Sequence, residues 1–253
     1  MSSLSNHVRD NFAGMLVFAD VHGDIESLMR AYHYAESHDY FFASLGDLVD
    51  RSSFPFETVK KMHEVVKAGK GAFTIGNHDD KFHRLGKGAK VSLSVDARRT
   101  LADVGPERHD EFMQLYADLM DTPNYSAYFH KFDDITLVHA ASHPCMWEDT
   151  DRFGNTAKSR ALYGETNGDK YPDGYPVRLY SWIDEVPMGE TVIVGHDRCP
   201  IFNVPITSPM VKLNKNGGKV IFLDTGGGKG GFLSGAVVLH DKKFKVDRFV
   251  EFK

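Results

Sequence analysis

Short apolar runs alternate along this chain with longer segments of helical period. The runs cover 15–20, 41–47, 72–77, 135–140, 191–196, 219–224, 236–240 and 244–252. They are rich in β-branched and aromatic residues, and their apolar runs are nearly continuous, which predicts strands covered on both faces. Between the first two runs, Ile25, Leu28, Met29 and Tyr32 fall on one stripe of a helix over 25–37. A second helix is predicted near 56–68, stopped by Gly69. A third covers 107–120, where Phe112, Leu115, Tyr116 and Leu119 keep helical spacing. The segment 144–180 is dense in Gly, Pro and Asp and reads as largely loop. Repeats, low-complexity tracts and linker-like shifts are absent. The pattern therefore predicts a layered α/β fold, one domain over residues 1–253 with its core from residue 12 onward.

The polar residues sit where that pattern makes them informative. Asp20, Asp47, Asn77, His139 and His196 each close an apolar run. In open α/β sheets, ligands bind outside the carboxyl ends of the strands. Five strands delivering Asp, Asn and His to one edge would build one site. Carboxylates and neutral imidazoles suit Mn, Fe, Zn or Ni.

Composition narrows the setting. At 253 residues and 42% hydrophobic, the chain can bury a large core without disulfides. A net charge of −5 provides no global attraction to nucleic acid or anionic membranes. Cys145 and Cys199 form no C-x-x-C pair, so a reducing compartment is expected. The first twelve residues are polar and no apolar run approaches the roughly 20 residues of a membrane span. A cytoplasmic protein without a membrane contact is expected.

Four local motifs gather the chemistry: Asp20-Val21-His22-Gly23, Gly46-Asp47-Leu48-Val49-Asp50-Arg51, Gly76-Asn77-His78-Asp79 and Gly195-His196-Asp197, with Val138-His139-Ala140 between the last two. In this order they resemble the signature of the calcineurin-like metallophosphoesterase superfamily, over roughly residues 16–228. The resemblance implies a central β-sandwich flanked by helices, with two divalent metal ions at the strand ends. Manganese is the first expectation, with nickel, iron, zinc or cobalt as alternatives. It implies Asp20 and His22 on one ion, Asn77, His139 and His196 on the other, and Asp47 on both. Two such ions clamp phosphoryl oxygens and activate water for in-line attack. His78 would be the general acid, Asp50 its partner and Arg51 a phosphate grip. Asp224 would orient a ligand histidine. Ser52, Ala141 and Asp197 depart from the family's usual Gly, Gly and Thr, which touches substrate fit more than metal binding.

Two stretches are similar to the phosphoesterase domain of bacterial polynucleotide kinase-phosphatases. They are 76–85, continuing through Gly88 and Val91, and 161–166 with Pro176-Val177-Arg178 and Trp182. This resemblance favours nucleotide or RNA-end substrates, phosphomonoesters or 2′,3′-cyclic phosphates, over phosphoproteins. Arg160 and Arg178 are expected as further substrate contacts, and no obligate protein partner is implied. Ser/Thr protein phosphatases and symmetrical dinucleoside tetraphosphatases share the motif set and are the alternative functions. A catalytically silent metal-binding scaffold is the last alternative. The six residues 226–231, Gly-Gly-Gly-Lys-Gly-Gly, lack the G-x-x-x-x-G-K-S/T spacing and predict a tight turn instead.

Overall fold

A computed structural model describes residues 3–148, 153–172, 174–198 and 208–253. The strands in chain order are β1 Gly14–Phe18, β2 Tyr40–Ser44, β3 Gly71–Thr74, β4 Ser126–Ala127, β5 Phe129–Phe132, β6 Ile135–Val138, β7 Glu165–Lys170, β8 Pro176–Leu179, β9 Thr191–Val194, β10 Met210–Leu213, β11 Lys219–Phe222, β12 Leu233–His240 and β13 Phe244–Phe252. The helices are α1 Ser3–Asn11, α2 Ile25–Ser37, α3 Pro55–Lys67, α4 Asn77–Gly86, α5 Val95–Val104, α6 His109–Met120 and α7 Asn155–Tyr163.

Two sheets form a sandwich. One has the order β13-β12-β1-β2-β3-β4 and the other β10-β11-β9-β6-β5. The inner strands β1, β2 and β3 run parallel, as do β6, β9 and β11. Helices α2 and α3 make the crossovers that parallel pairing requires.

Period two explains the layering. Met15 and Val17 of β1 face Leu137, Ile193 and Ile221 of the second sheet. Leu16 and Phe18, one residue out of phase, pack under α2, α3 and α6 with Phe42, Phe73 and Tyr116. Val192 and Val194 turn the opposite way, onto Trp182, Ile183 and Ala161. Three apolar layers therefore need strands that are apolar on both faces, as the sequence pattern predicts.

All eight expected strands form. Helix α2 matches the expected span, while α3 and α6 begin within two residues of expectation. The segment 144–180 is a correction, for it holds α7 and the β7–β8 hairpin. Helix α7 buries a narrow stripe of Ala157, Ala161 and Leu162. The hairpin strand Glu165–Lys170 is mostly exposed and polar. Neither presents the wide apolar stripe that marks a helix or a half-buried strand. Cys199 lies outside the described residues. Among the described residues no helix is long and apolar enough to cross a membrane.

Candidate metal centre and active site

Each strand that leads to an expected donor stops one to three residues short of it. Phe18 ends β1 before Asp20, Ser44 ends β2 before Asp47, and Thr74 ends β3 before Asn77. Val138 and Val194 do the same for His139 and His196. The donors thus stand past the ladder, on loops or, for Asn77, at the first residue of α4. Five of the eight described non-glycine residues with positive φ lie here: His22, Asp47, Asp50, Arg51 and His196. Such backbone is costly and persists only where surrounding contacts enforce it.

Those contacts are visible. The amides of Val21 and His22 donate to the Asp47 carbonyl at 3.1 and 3.0 Å, and Gly23 donates to Leu48 at 2.7 Å. A Cβ on Gly76 would lie 2.3 Å from Asp47 Oδ1, so only glycine brings these two loops together. Asp79 locks the junction. Its buried carboxylate accepts from the amides of Asp47 (2.6 Å), Leu48 (3.1 Å) and Gly76 (3.1 Å), and from the Tyr116 hydroxyl at 3.0 Å. Burial, then the charge of Asp47, pushes this carboxyl up to about 6. Asp79→Ala is expected to cost about 2–4 kcal/mol, since it strands several buried donors at once. Urea unfolding measures this, and a loss below about 1 kcal/mol would deny Asp79 the clamp.

The donor atoms converge in two groups that share one residue. Asp20, His22 and Asp47 have ligand atoms within 4.8 Å of one another, and so do Asp47, His139 and His196. Each aspartate uses one oxygen outward and one inward. Asp20 Oδ1 accepts from the His196 amide at 2.9 Å, and Asp47 Oδ1 from the His78 amide at 3.0 Å. That leaves both Oδ2 atoms facing the centre. Asp47 Oδ2 lies 4.0 Å from His22 Nε2 on one side and 3.5 Å from His139 Nε2 on the other. Asn77 Oδ1 and His196 Nδ1 each lie 3.1 Å from His139 Nε2.

Two of the histidines carry the tautomer that a metal ligand would need. Nδ1 of His22 meets the Val49 carbonyl at 2.7 Å, and Nδ1 of His139 meets the Leu45 carbonyl at 2.8 Å. A carbonyl only accepts, so the proton is on Nδ1 and the Nε2 lone pair points inward. Among the described residues, Nε2 of His22 and of His196 is buried with no hydrogen-bond partner. Burial first, then the Lys229 charge, lowers the pKa of His22; burial and His139 hold His196 well below its usual range. Neutral imidazoles and carboxylates with unmatched lone pairs fit divalent cations.

His78 differs from the other three. Its Nδ1 bonds Asp50 Oδ2, and its Nε2 lies 3.8 Å from Asp47 Oδ2. Burial works against its charge, yet Asp47 and Asp50 raise its pKa. Neighbouring imidazoles are thus driven apart, two toward neutrality and one toward the cation. Thr100, on α5, fixes the other oxygen of Asp50 at 2.5 Å. Nothing in the sequence pointed to Thr100, which lies fifty residues from its partner.

The expected arginines divide. Arg51 is partly exposed, 3.5 Å from Asp96. Arg178 has a side chain only 10% exposed and lies 3.7 Å from Asp197, the neighbour of His196. Its Nε and Nη1 have no hydrogen-bond partner among the described residues. Asp197 also accepts from the Tyr180 hydroxyl at 3.1 Å. Arg160 is a correction. It spans Glu165 and Glu185 at 2.7 Å each and is committed to tying α7 to its surroundings. Backbone carbonyls orient His22 and His139, while Asp224 accepts from the Gly226 amide at 2.8 Å and lies 3.1 Å from Lys229 Nζ.

Comparison with known proteins agrees with this geometry. The profile of the family described as calcineurin-like phosphoesterase matches residues 15–223. Asymmetrical bis(5′-nucleosyl)-tetraphosphatase PrpE of Halalkalibacterium halodurans is 27% identical over 71% of this chain and 76% of its own. The protein of the same name from Bacillus subtilis is 26% identical, covering 83% and 84%. A crystal structure assigned provisionally as a diadenosine tetraphosphatase superposes with a TM-score of 0.56, 23% identity and 90% coverage of both chains. A Saccharomyces cerevisiae serine/threonine phosphatase superposes with a TM-score of 0.52 at 12% identity, over 99% of this chain and 86% of that one. These two structures share the fold.

Proposed function

The chain belongs to the calcineurin-like phosphoesterases, metal-dependent hydrolases of phosphate esters, and from that premise we propose that it cleaves P–O bonds of nucleotide substrates at a centre of two divalent ions. The observation that carries this reading is Asp47 Oδ2, which lies between the His22 and His139 donor nitrogens. Asp20, His22 and Asp47 would hold one ion; Asp47, Asn77, His139 and His196 would hold the other. Manganese is favoured, because the set mixes hard carboxylate and amide oxygens with imidazole. When bound, the ions polarise the phosphoryl oxygens and lower the pKa of water.

The side chains supply the rest. His78 holds a proton at Nε2 and passes it to the departing oxygen as the P–O bond breaks. Asp50, pinned by Thr100, keeps the ring oriented and charged. Arg178 and Arg51 offer guanidinium donors to the non-bridging oxygens. Because Arg178 is largely buried, its pairing with phosphate is screened less than that of Arg51. Arg178→Ala is expected to lower kcat/KM by about 10- to 100-fold, mostly through KM, with no rescue by lysine. Steady-state kinetics with retained metal content checks this. An unchanged KM would remove Arg178 from the substrate.

Dinucleoside polyphosphates are the favoured substrates, since the named bacterial relatives are asymmetrical tetraphosphatases. Nucleoside or RNA-end 2′,3′-cyclic phosphates are the second reading, supported by the 76–85 and 161–166 stretches. Metal-stripped protein resupplied with Mn²⁺ should be compared on bis(5′-adenosyl) tetraphosphate, 2′,3′-cyclic AMP and a phosphoserine peptide. Fastest turnover of the tetraphosphate is expected. A peptide cleaved faster than both nucleotides would overturn the reading.

A further inference from the structure

The loop from Asp224 to Gly231 connects β11 to β12, and the chemistry above gives its lysine no task. Gly226, Gly228 and Gly230 have φ of +90°, +63° and +82°. A Cβ on Gly228 would meet the His22 Cβ at 2.7 Å and the Val21 carbonyl oxygen at 2.9 Å. Only glycine lets this loop lie directly on the Asp20–His22 loop. The close approach carries Lys229 inward. Its Nζ lies 3.1 Å from Asp20 Oδ2 and 3.1 Å from Asp224 Oδ2, and its side chain is 11% exposed.

Asp20 has little to spare. Its Oδ1 accepts from the His196 amide, and its Oδ2 is the oxygen 3.5 Å from His22 Nε2. That oxygen is the atom Asp20 would give to a divalent ion, and it is the atom the lysine holds. An ammonium has donors only and cannot itself serve as a ligand. In a buried site its charge also repels an arriving cation, with little screening. The His78 imidazole lies 3.8 Å from Asp47 Oδ2, an oxygen that faces both pockets, but among the described residues no lysine or arginine pairs with Asp47. The two pockets therefore differ in what an ion must displace.

We propose that Lys229 is a tethered cation that competes with divalent metal for Asp20 Oδ2, so that the Asp47–His139–His196 pocket fills first and the Asp20–His22 pocket last. On metal entry the ammonium withdraws to Asp224, which remains as its partner. The catalytic centre is then completed only above the divalent-ion concentration that the lysine sets. This inference rests on the two-ion reading of the centre.

The test is a calorimetric Mn²⁺ titration of the metal-stripped full chain, with thermal unfolding in chelator and in saturating Mn²⁺. The native protein should bind two ions in a tight and a weak step. Lys229→Met and Lys229→Gln should each tighten the weak step by about tenfold or more, leaving the tight step within about twofold. Asp224→Asn should act oppositely, leaving the ammonium to Asp20 alone and weakening the same step. In chelator the Lys229 variants should melt below the native protein, and Mn²⁺ should raise their Tm by more than it raises the native one. An unchanged or weakened second step in both Lys229 variants would overturn the inference, since the lysine would then be orienting Asp20 rather than competing for it. A raised KM with an unaltered Mn²⁺ isotherm would overturn it too, making Lys229 a phosphate contact. Native protein that binds no Mn²⁺ would sink the two-ion reading together with it.

Discussion

Asp47→Asn is expected to abolish turnover, by about four orders of magnitude or more, and to lose tight binding of both ions together. Asn accepts the positive φ at this position nearly as well as Asp, so the loop can survive the change. The amide can still accept the His78 N–H that Asp47 Oδ1 holds at 3.0 Å. What disappears is the anionic oxygen facing His22 and His139, replaced by an NH2 that cannot hold a cation. An ion on either side loses its shared anion, and two cations placed side by side lose the carboxylate that screens them. Elemental analysis of dialysed protein alongside nucleotide product formation from the tetraphosphate decides the matter. Retention of one ion at native affinity would assign Asp47 to a single pocket.

His78→Ala should separate leaving groups. A general acid contributes about 10²–10⁴ when the departing oxygen is basic, and far less when it leaves as a stable anion. Nucleoside 2′,3′-cyclic phosphates and alkyl phosphates should therefore slow by about two orders of magnitude or more. Aryl esters such as p-nitrophenyl phosphate should slow by less than about tenfold. Dinucleoside tetraphosphates, which expel a nucleotide through a weakly basic phosphate oxygen, should behave like the aryl ester. Both ions should stay, because it is the backbone N–H of residue 78, not its ring, that holds Asp47. Equal losses on alkyl and aryl substrates would remove His78 from the acid role. The geometry favours the split, since Asp50 and Asp47 raise the pKa of this imidazole while burial lowers those of His22 and His196.

Much of this site was legible before any fold was known. Asp20, Asp47, Asn77, His139 and His196 stand where apolar runs end, and the structure brings all five within one centre. Their visibility has a physical origin. A strand covered on both faces is a local pattern, and a donor just past its end is a local interruption. The expected strands ran a few residues too far because their polar ends leave the ladder at Asp20, Asp47, Asn77 and His196. Periodicity reports which residues are apolar, and it does not report where backbone pairing stops.

Arg160 and Arg178 show the limit from the other side. Both are single arginines in a segment that reads as loop, with nothing local to distinguish them. Folding puts Arg160 between Glu165 and Glu185, and puts Arg178 beside Asp197 with two guanidinium nitrogens that have no hydrogen-bond partner among the described residues. Thr100 on Asp50, Asp79 across two loops and Lys229 on Asp20 were equally silent. The Lys229–Asp20 contact spans 209 positions of the chain.

By itself, then, the sequence determined eight of the thirteen described strands, the amphipathic helices α2, α3 and α6, and the residues that converge at the centre, because each is written in neighbouring residues. Only the tertiary structure decided which oxygen of each aspartate faces inward, which arginine is committed to two glutamates and which lies beside the centre, and which lysine reaches it. Those outcomes depend on distances between segments far apart in the chain, and packing alone sets them.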